Sequence, residues 1–223
     1  MEKCIFWDFD GTLVLPNERF LDALNFSVRS AGYEIDRGVI REILKTVFPW
    51  LNYHVSYPDR TGEWWESFLD SLTPFYGQHG IEARDRVKIN SVFKDRIINR
   101  NDYELYEDTK CVLTECVSRG YKNYLLSNNY PELTLMIRDL GIEEYFTDFI
   151  ISSHVGYEKP RAELFDYAKR FAGTDSAIMV GDNPIADIEG GAAAGFRTVL
   201  VHRDAESRAD YTFATLKEIL GII

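Results

Sequence analysis

The stretch Cys4-Ile5-Phe6-Trp7-Asp8-Phe9-Asp10-Gly11-Thr12 decides how the rest of the chain is read. Four consecutive apolar residues, with no polar alternation, fit a short strand buried on both faces, as in parallel sheets. Two carboxylates follow directly. At the carboxyl end of a parallel strand they open into the crevice where α/β domains hold ligands. Their spacing of two lets both acids face one pocket, and Gly11 permits a sharp turn and close approach of backbone to an anion.

Further short apolar runs lie at residues 124–126, 149–151, 177–180 and 198–201, and helical periodicity alternates with them at 109–119, 131–140, 163–171 and 185–194. Strand and helix alternating in this way predict a doubly wound, Rossmann-like α/β domain with a parallel sheet. The first strand stands apart. Residues 16–101 carry almost no strand character and read as an inserted α-helical subdomain, leaving 1–15 and 102–223 as the α/β core, with linkers near Leu15 and Asn101. In the insertion, Asn17 can cap a helix carrying Phe20, Leu21, Leu24 and Val28 that ends near Gly32. Val39, Ile40, Ile43, Leu44 and Val47 mark a second helix, Trp64 through Tyr76 one face of a third, and Val87, Val92, Phe93 and Ile97 a fourth.

A chain of 223 residues with 45% hydrophobic content can bury one core plus a smaller subdomain without metals or disulfides to hold it. Its net charge of −11 gives nucleic acid and anionic membranes no long-range attraction, so a small anionic substrate requires local cations. Cys4, Cys111 and Cys116 form neither a disulfide framework nor a zinc knuckle, which points to reduced cytoplasm. No apolar stretch has membrane-spanning length, and the run after Met1-Glu2-Lys3 does not fit a signal peptide.

Asp8 can attack phosphorus and form an aspartyl-phosphate. Asp10 would protonate the leaving oxygen, so it must hold a proton when substrate binds, and would then take one from water. A D-x-D-G turn also fits an ordinary loop or a calcium loop. The EF-hand version fails because Thr12-Leu13-Val14-Leu15 supplies no closing set of oxygen ligands. Ser127, followed by Asn128 and Asn129 at a second strand end, can hydrogen-bond a phosphate oxygen; alone it would equally be a turn residue or helix cap. Lys159 precedes a helix that Pro160 can begin, and alone would be a solvated lysine. Asp182 and Asp187, after another strand, add carboxylates that suit octahedral Mg²⁺, or simply belong to a capped helix start.

Taken in order, DFDGTL (8–13), LLSNN (125–129), GYEKP (156–160) and GDNPIAD (181–187) resemble the four motifs of the haloacid dehalogenase superfamily. The resemblance is to its phosphatase branch with an α-helical cap, including phosphoglycolate phosphatase-like and nucleotidase-like members. It implies strand order 5-4-1-2-3 and a small phosphomonoester as substrate. It further implies Asp8 as nucleophile and Mg²⁺ ligand, and Asp10 as acid/base that also ligates through its backbone carbonyl. Ser127 and Lys159, with Asn128 beside them, would bind phosphate; Asp182 would ligate Mg²⁺, with Asp187 and Asn183 supporting it from behind. One departure is that Arg161, Ala162 and Glu163 follow Pro160, where relatives often carry a second proline.

The insertion carries no assignable motif. Arg19 can contact a leaving group, and Trp50, Asn52, Tyr53 and His54 can line the pocket, although packing or surface exposure is the commoner fate of such residues. Asp10 counts against a dehalogenase, which needs neither a leaving-group acid nor a metal. A phosphomutase and a noncatalytic phosphate-binding protein remain alternatives, the latter expected to have lost one of Asp8, Asp10, Lys159 or Asp182. All four are present.

Overall fold

In the computed structural model, which describes residues 3–54, 64–99, 103–203 and 207–223, β1 (Cys4–Trp7) lies inside a six-stranded sheet. The sheet also contains β2 (Lys122–Ser127), β3 (Asp148–Ile151), β4 (Ala177–Gly181), β5 (Arg197–Val201) and β6 (Tyr211–Phe213), in the order β3-β2-β1-β4-β5-β6. Every pairing is parallel. The expected order of five strands is present, and β6 extends it at one edge. Tyr211-Thr212-Phe213 is too short for a period-two pattern to stand out.

The unbroken apolar run of β1 follows from burial on both faces. Ile5 and Trp7 enter one core with Leu125, Ile178 and Val180, while Cys4 and Phe6 enter the other with Tyr124, Leu126 and Met179. Because β1 pairs with β2 on one side and β4 on the other, its carboxyl end is a topological switch point, where a crevice opens.

The inserted helices are α1 (Arg19–Ser30), α2 (Arg37–Val47), α3 (Trp64–Ser71), α4 (Thr73–Gln78) and α5 (Ala83–Ile97). They enclose a core of their own, which Tyr130 joins from the sheet side. Asp36 caps α2 by accepting from the amides of Gly38 and Val39. Asn17 lies one residue ahead of the α1 cap position, its Oδ1 accepting from the Arg19 amide at 3.2 Å. The single third helix expected through Tyr76 is two helices broken at Leu72, with Pro74 in the first turn of α4. Lacking an amide N–H and with φ preset, proline fits that position and not a helix interior. In α5 the core-facing set is Ile89, Phe93 and Ile97; Val87 is 74% exposed, since it falls off that i, i+4, i+8 stripe. The two crossings into the insertion run together, with the Leu15 amide donating to Glu104 O at 2.8 Å, while Asn101 lies outside the described residues.

Helices α6 (Thr109–Ser118) and α7 (Leu133–Asp139) cover the first face of the sheet. After the single turn α8 (Ser152–Val155), helix α9 (Ala162–Ala172) covers the other. Pro160 does not begin α9 as expected: it follows Lys159 through a cis peptide bond, and the helix starts after Arg161.

Candidate active site

Four strand ends deliver the site. The Asp8 amide continues the sheet by donating to Val180 O at 2.9 Å, after which residues 9–14 fold into a turn closed by Leu13 N–H to Phe9 O at 2.9 Å and Gly11 N–H to Val14 O at 2.9 Å. Gly11 has φ +79°, and a Cβ there would lie 2.6 Å from Asp182 Oδ2. Only glycine accepts both constraints, and the turn it makes brings Asp8 and Asp10 into one cavity. β2 ends on buried Ser127. β4 ends on Gly181, Asp182 follows it, and Asn183 caps the next turn of helix by accepting from the amides of Ile185 and Ala186 at 3.0 Å.

The eight residues singled out in the sequence, Asp8, Asp10, Ser127, Asn128, Lys159, Asp182, Asn183 and Asp187, all line one cavity of about 500 Å³ between the sheet and the inserted helices. Lys159, 1% exposed, places its ammonium 2.8 Å from Asp8 Oδ1 and 2.6 Å from Asp187 Oδ1. Asn128 holds that lysine from behind. Its Oδ1 accepts from the Lys159 amide at 2.7 Å and its Nδ2 donates to the Lys159 carbonyl at 3.0 Å. The Asn128 side chain thus positions Lys159 while also lining the cavity. Asp187 is fully buried, with Oδ2 accepting from the Asn183 amide at 3.0 Å. A Cβ on Gly181 would stand 2.1 Å from that oxygen, so glycine is what lets the carboxylate fold back against the strand.

Charge in this cavity is crowded. Burial above all, with Asp187 and Asp10 adding repulsion, raises Asp8 to about 7 despite Lys159. Burial and the Asp8 charge raise Asp182 to about 6 despite Arg203. Burial likewise raises Asp187. Carboxylate oxygens of Asp8, Asp182 and Asp187 lie within 4.8 Å of one another. This is a hard, all-oxygen donor set carrying more negative charge than its protein cations relieve, and it fits Mg²⁺. Within it Asp187 accepts through both oxygens, from Lys159 and from the Asn183 amide, whereas Asp8 accepts from Lys159 through Oδ1 and Asp182 from Arg203 through Oδ2.

Three residues beyond the expected set complete the site. Asn129 Nδ2 donates to Asp10 Oδ2 at 2.7 Å, and Arg19 Nη2 donates to Asp10 Oδ1 at 3.0 Å. Arg19 also packs, the commoner fate expected of it: the guanidinium is buried, 3.9 Å from the centre of the Tyr103 ring. Arg203 donates from Nε to Asp182 Oδ2 at 2.9 Å. Its place just past the end of β5, beside three other strand ends that carry candidate residues, is the available signal. Of the polar-aromatic segment, Trp50 lines the cavity, while Asn52 donates to Thr46 O and Phe48 O at 2.9 Å each.

A family profile for haloacid dehalogenase-like hydrolases matches residues 2–195. The chain belongs to this family. It is 24% identical over 209 residues to human haloacid dehalogenase-like hydrolase domain-containing protein 3, covering 89% of this chain and 81% of that one. It is 33% identical over 148 residues to phosphoserine phosphatase of Thermus thermophilus, covering 63% of this chain and 58% of that one. Among solved structures, the magnesium-bound HAD-hydrolase YfnB of Bacillus subtilis superposes with a TM-score of 0.74 at 17% identity, over 99% of this chain and 98% of that one. The resemblance drawn from the four motifs is borne out, the chain is a hydrolase, and the phosphatase-named relative supports the phosphatase branch. No helix among the described residues is long and apolar enough to cross a membrane.

Proposed function

We propose that this haloacid dehalogenase-like hydrolase is a Mg²⁺-dependent phosphatase that cleaves a small phosphomonoester through an aspartyl-phosphate on Asp8. The observation that carries the reading is Asp10. A second carboxylate, held by Arg19 and Asn129 in the same cavity as Asp8, is what phosphoester cleavage needs and carbon–halogen cleavage does not.

In the first step an Asp8 oxygen bonds to phosphorus, the bond to the leaving oxygen breaks, and Asp10 gives that oxygen its proton. In the second, Asp10 takes a proton from a water that attacks the phosphorus of the aspartyl-phosphate, which releases phosphate and restores the Asp8 carboxylate. Lys159 and Ser127 bind phosphoryl oxygens, with Asn128 fixing the lysine backbone. Mg²⁺, when bound, would be held by Asp8, Asp182 and the Asp10 carbonyl and would neutralise charge on the phosphoryl group. Asp187 and Asn183 hold that wall of the site: Asp187 anchors Lys159, and Asn183 caps the turn that carries Asp187. Residues 16–101 act as the cap that encloses the substrate, and residues 1–15 and 102–223 as the core. The free cysteines, two of them buried, support a cytoplasmic setting.

The test is phosphate release from p-nitrophenyl phosphate. Mg²⁺-dependent turnover abolished by a chelator and by Asp8→Asn, in a protein that still folds, is expected. Turnover by Asp8→Asn, or indifference to the chelator, would sink the assignment.

A further inference from the structure

The phosphoryl end of the cavity is polar, but the opposite wall, built by Phe20, Leu44, Phe48, Trp50 and Leu51, is apolar. Part of that wall is the end of a column of rings. Trp64 stacks on Phe68 (centroids 5.4 Å apart, 14° between planes), Phe68 on Phe48 (5.9 Å, 8°) and Phe48 on Trp50 (4.6 Å, 19°). Phe20 meets Phe68, Phe48 and Trp50 edge-on at 81°, 89° and 73°, which keeps their planes aligned. The column starts at buried Trp64 and Phe68 in the core of the inserted helices and, among the described residues, ends at half-buried Trp50 on the cavity wall. Cations on the same wall are already engaged: Arg41 pairs with Glu18 at 2.9 Å and Lys45 with Glu42 at 2.8 Å. What the wall offers a ligand is therefore a flat aromatic face more than free charge.

We propose that Trp50 is the leaving-group subsite and that the preferred substrate carries a planar aromatic ring, which adds one more layer to the column. The proposal rests on the phosphatase reading and narrows it. A cavity of about 500 Å³ is far larger than a phosphoryl group with a short aliphatic chain fills, and it lies in the range of sites for ligands of several rings. The name of the phosphoserine phosphatase relative therefore does not carry its substrate to this chain, because phosphoserine has no ring to stack.

The test compares three alkyl phosphates whose leaving oxygen is the same primary alkoxide: ethyl phosphate, 2-cyclohexylethyl phosphate and 2-phenylethyl phosphate. Apolar burial alone would favour the two larger compounds equally, whereas stacking favours the phenyl compound. The expected result is kcat/KM for 2-phenylethyl phosphate about threefold to tenfold above the cyclohexyl compound. Trp50→Leu, which keeps an apolar side chain but removes the plane, should collapse that ratio toward one through KM, and Trp50→Phe should preserve most of it. Equal kcat/KM for the phenyl and cyclohexyl compounds, or a ratio unmoved by Trp50→Leu, would overturn the proposal. Should Trp50→Leu not fold, the wild-type and Trp50→Phe ratios decide the matter. The same comparison by calorimetric binding to Asp8→Asn protein separates the two layers of the argument: no phosphate release from any compound would refute the phosphatase reading, while tighter binding of the phenyl compound would still uphold the ring subsite.

Discussion

Metal-free protein should lose stability as pH rises from 5 to 7, and Mg²⁺ should reverse the loss. Asp182 is raised from 3.8 to about 6, chiefly by burial and by the charge of Asp8. An acid raised in the folded state binds more protons there than in the unfolded chain between those two values. Stability is thus fully present below pH 3.8 and is lost as pH climbs through about 6. The whole shift corresponds to about 3 kcal/mol, of which about 1 kcal/mol falls between pH 5 and 6. Asp8, raised to about 7 and tied to Lys159, acts in the same direction and extends the decline toward pH 7. Urea midpoints measured from pH 5 to 8 with chelator should fall, and saturating Mg²⁺ should flatten or invert the trend, since a cation favours the ionised carboxylates. Asp182→Asn removes one titrating group and relieves Asp8, so it should stabilise the metal-free protein at pH 7 by at least about 1 kcal/mol and flatten the profile. A metal-free profile level from pH 5 to 7, or an Asp182→Asn profile as steep as the parent, would refute this account of the site's electrostatics.

Other substitutions probe other parts. Lys159→Met leaves Asp8 and Asp187 without their shared cation, and a loss of about 3–5 kcal/mol is expected in chelator by urea titration, partly restored by Mg²⁺. Gly181→Ala drives a Cβ into the Asp187 carboxylate and should cost about 1–3 kcal/mol, whereas Gly77→Ala in α4, with nothing within 4 Å, should be neutral or stabilising by about 0.5–1 kcal/mol; paired thermal melts read the difference. Arg19→Met frees the Asp10 carboxylate from one of its two tethers, and kcat for p-nitrophenyl phosphate should fall about tenfold or more in the parent but show no further fall on an Asp10→Asn background.

Much of the sheet-bearing part of the chain was legible because its signals are local. A strand buried on both faces must be apolar at every position, so Cys4–Trp7 could be recognised without its neighbours, and the candidate residues Asp8, Asp10, Ser127 and Asp182 sit at or soon after such runs. Strand β6 and the break between α3 and α4 were not legible: the first is three residues long, and the second depends on one proline inside an otherwise continuous apolar face. Contacts between distant segments were also beyond reach. Asn128 reads as a polar residue after a strand, and only the fold turns its amide onto the Lys159 backbone. Arg203 reads as a charge near the chain's end, and only the order of β4 and β5 sets it against Asp182.

Sequence alone therefore determined that two carboxylates leave a buried strand together and that Ser127, Lys159 and Asp182 follow later strands, because burial and turn chemistry are written within a few residues of each. Tertiary structure decided what those groups meet. It set Lys159 between two acids, Arg19 on Asp10 and a column of aromatic rings across the cavity, since hydrogen bonds, ion pairs and ring contacts between segments far apart in the chain exist only once parallel pairing and helix packing have brought them together.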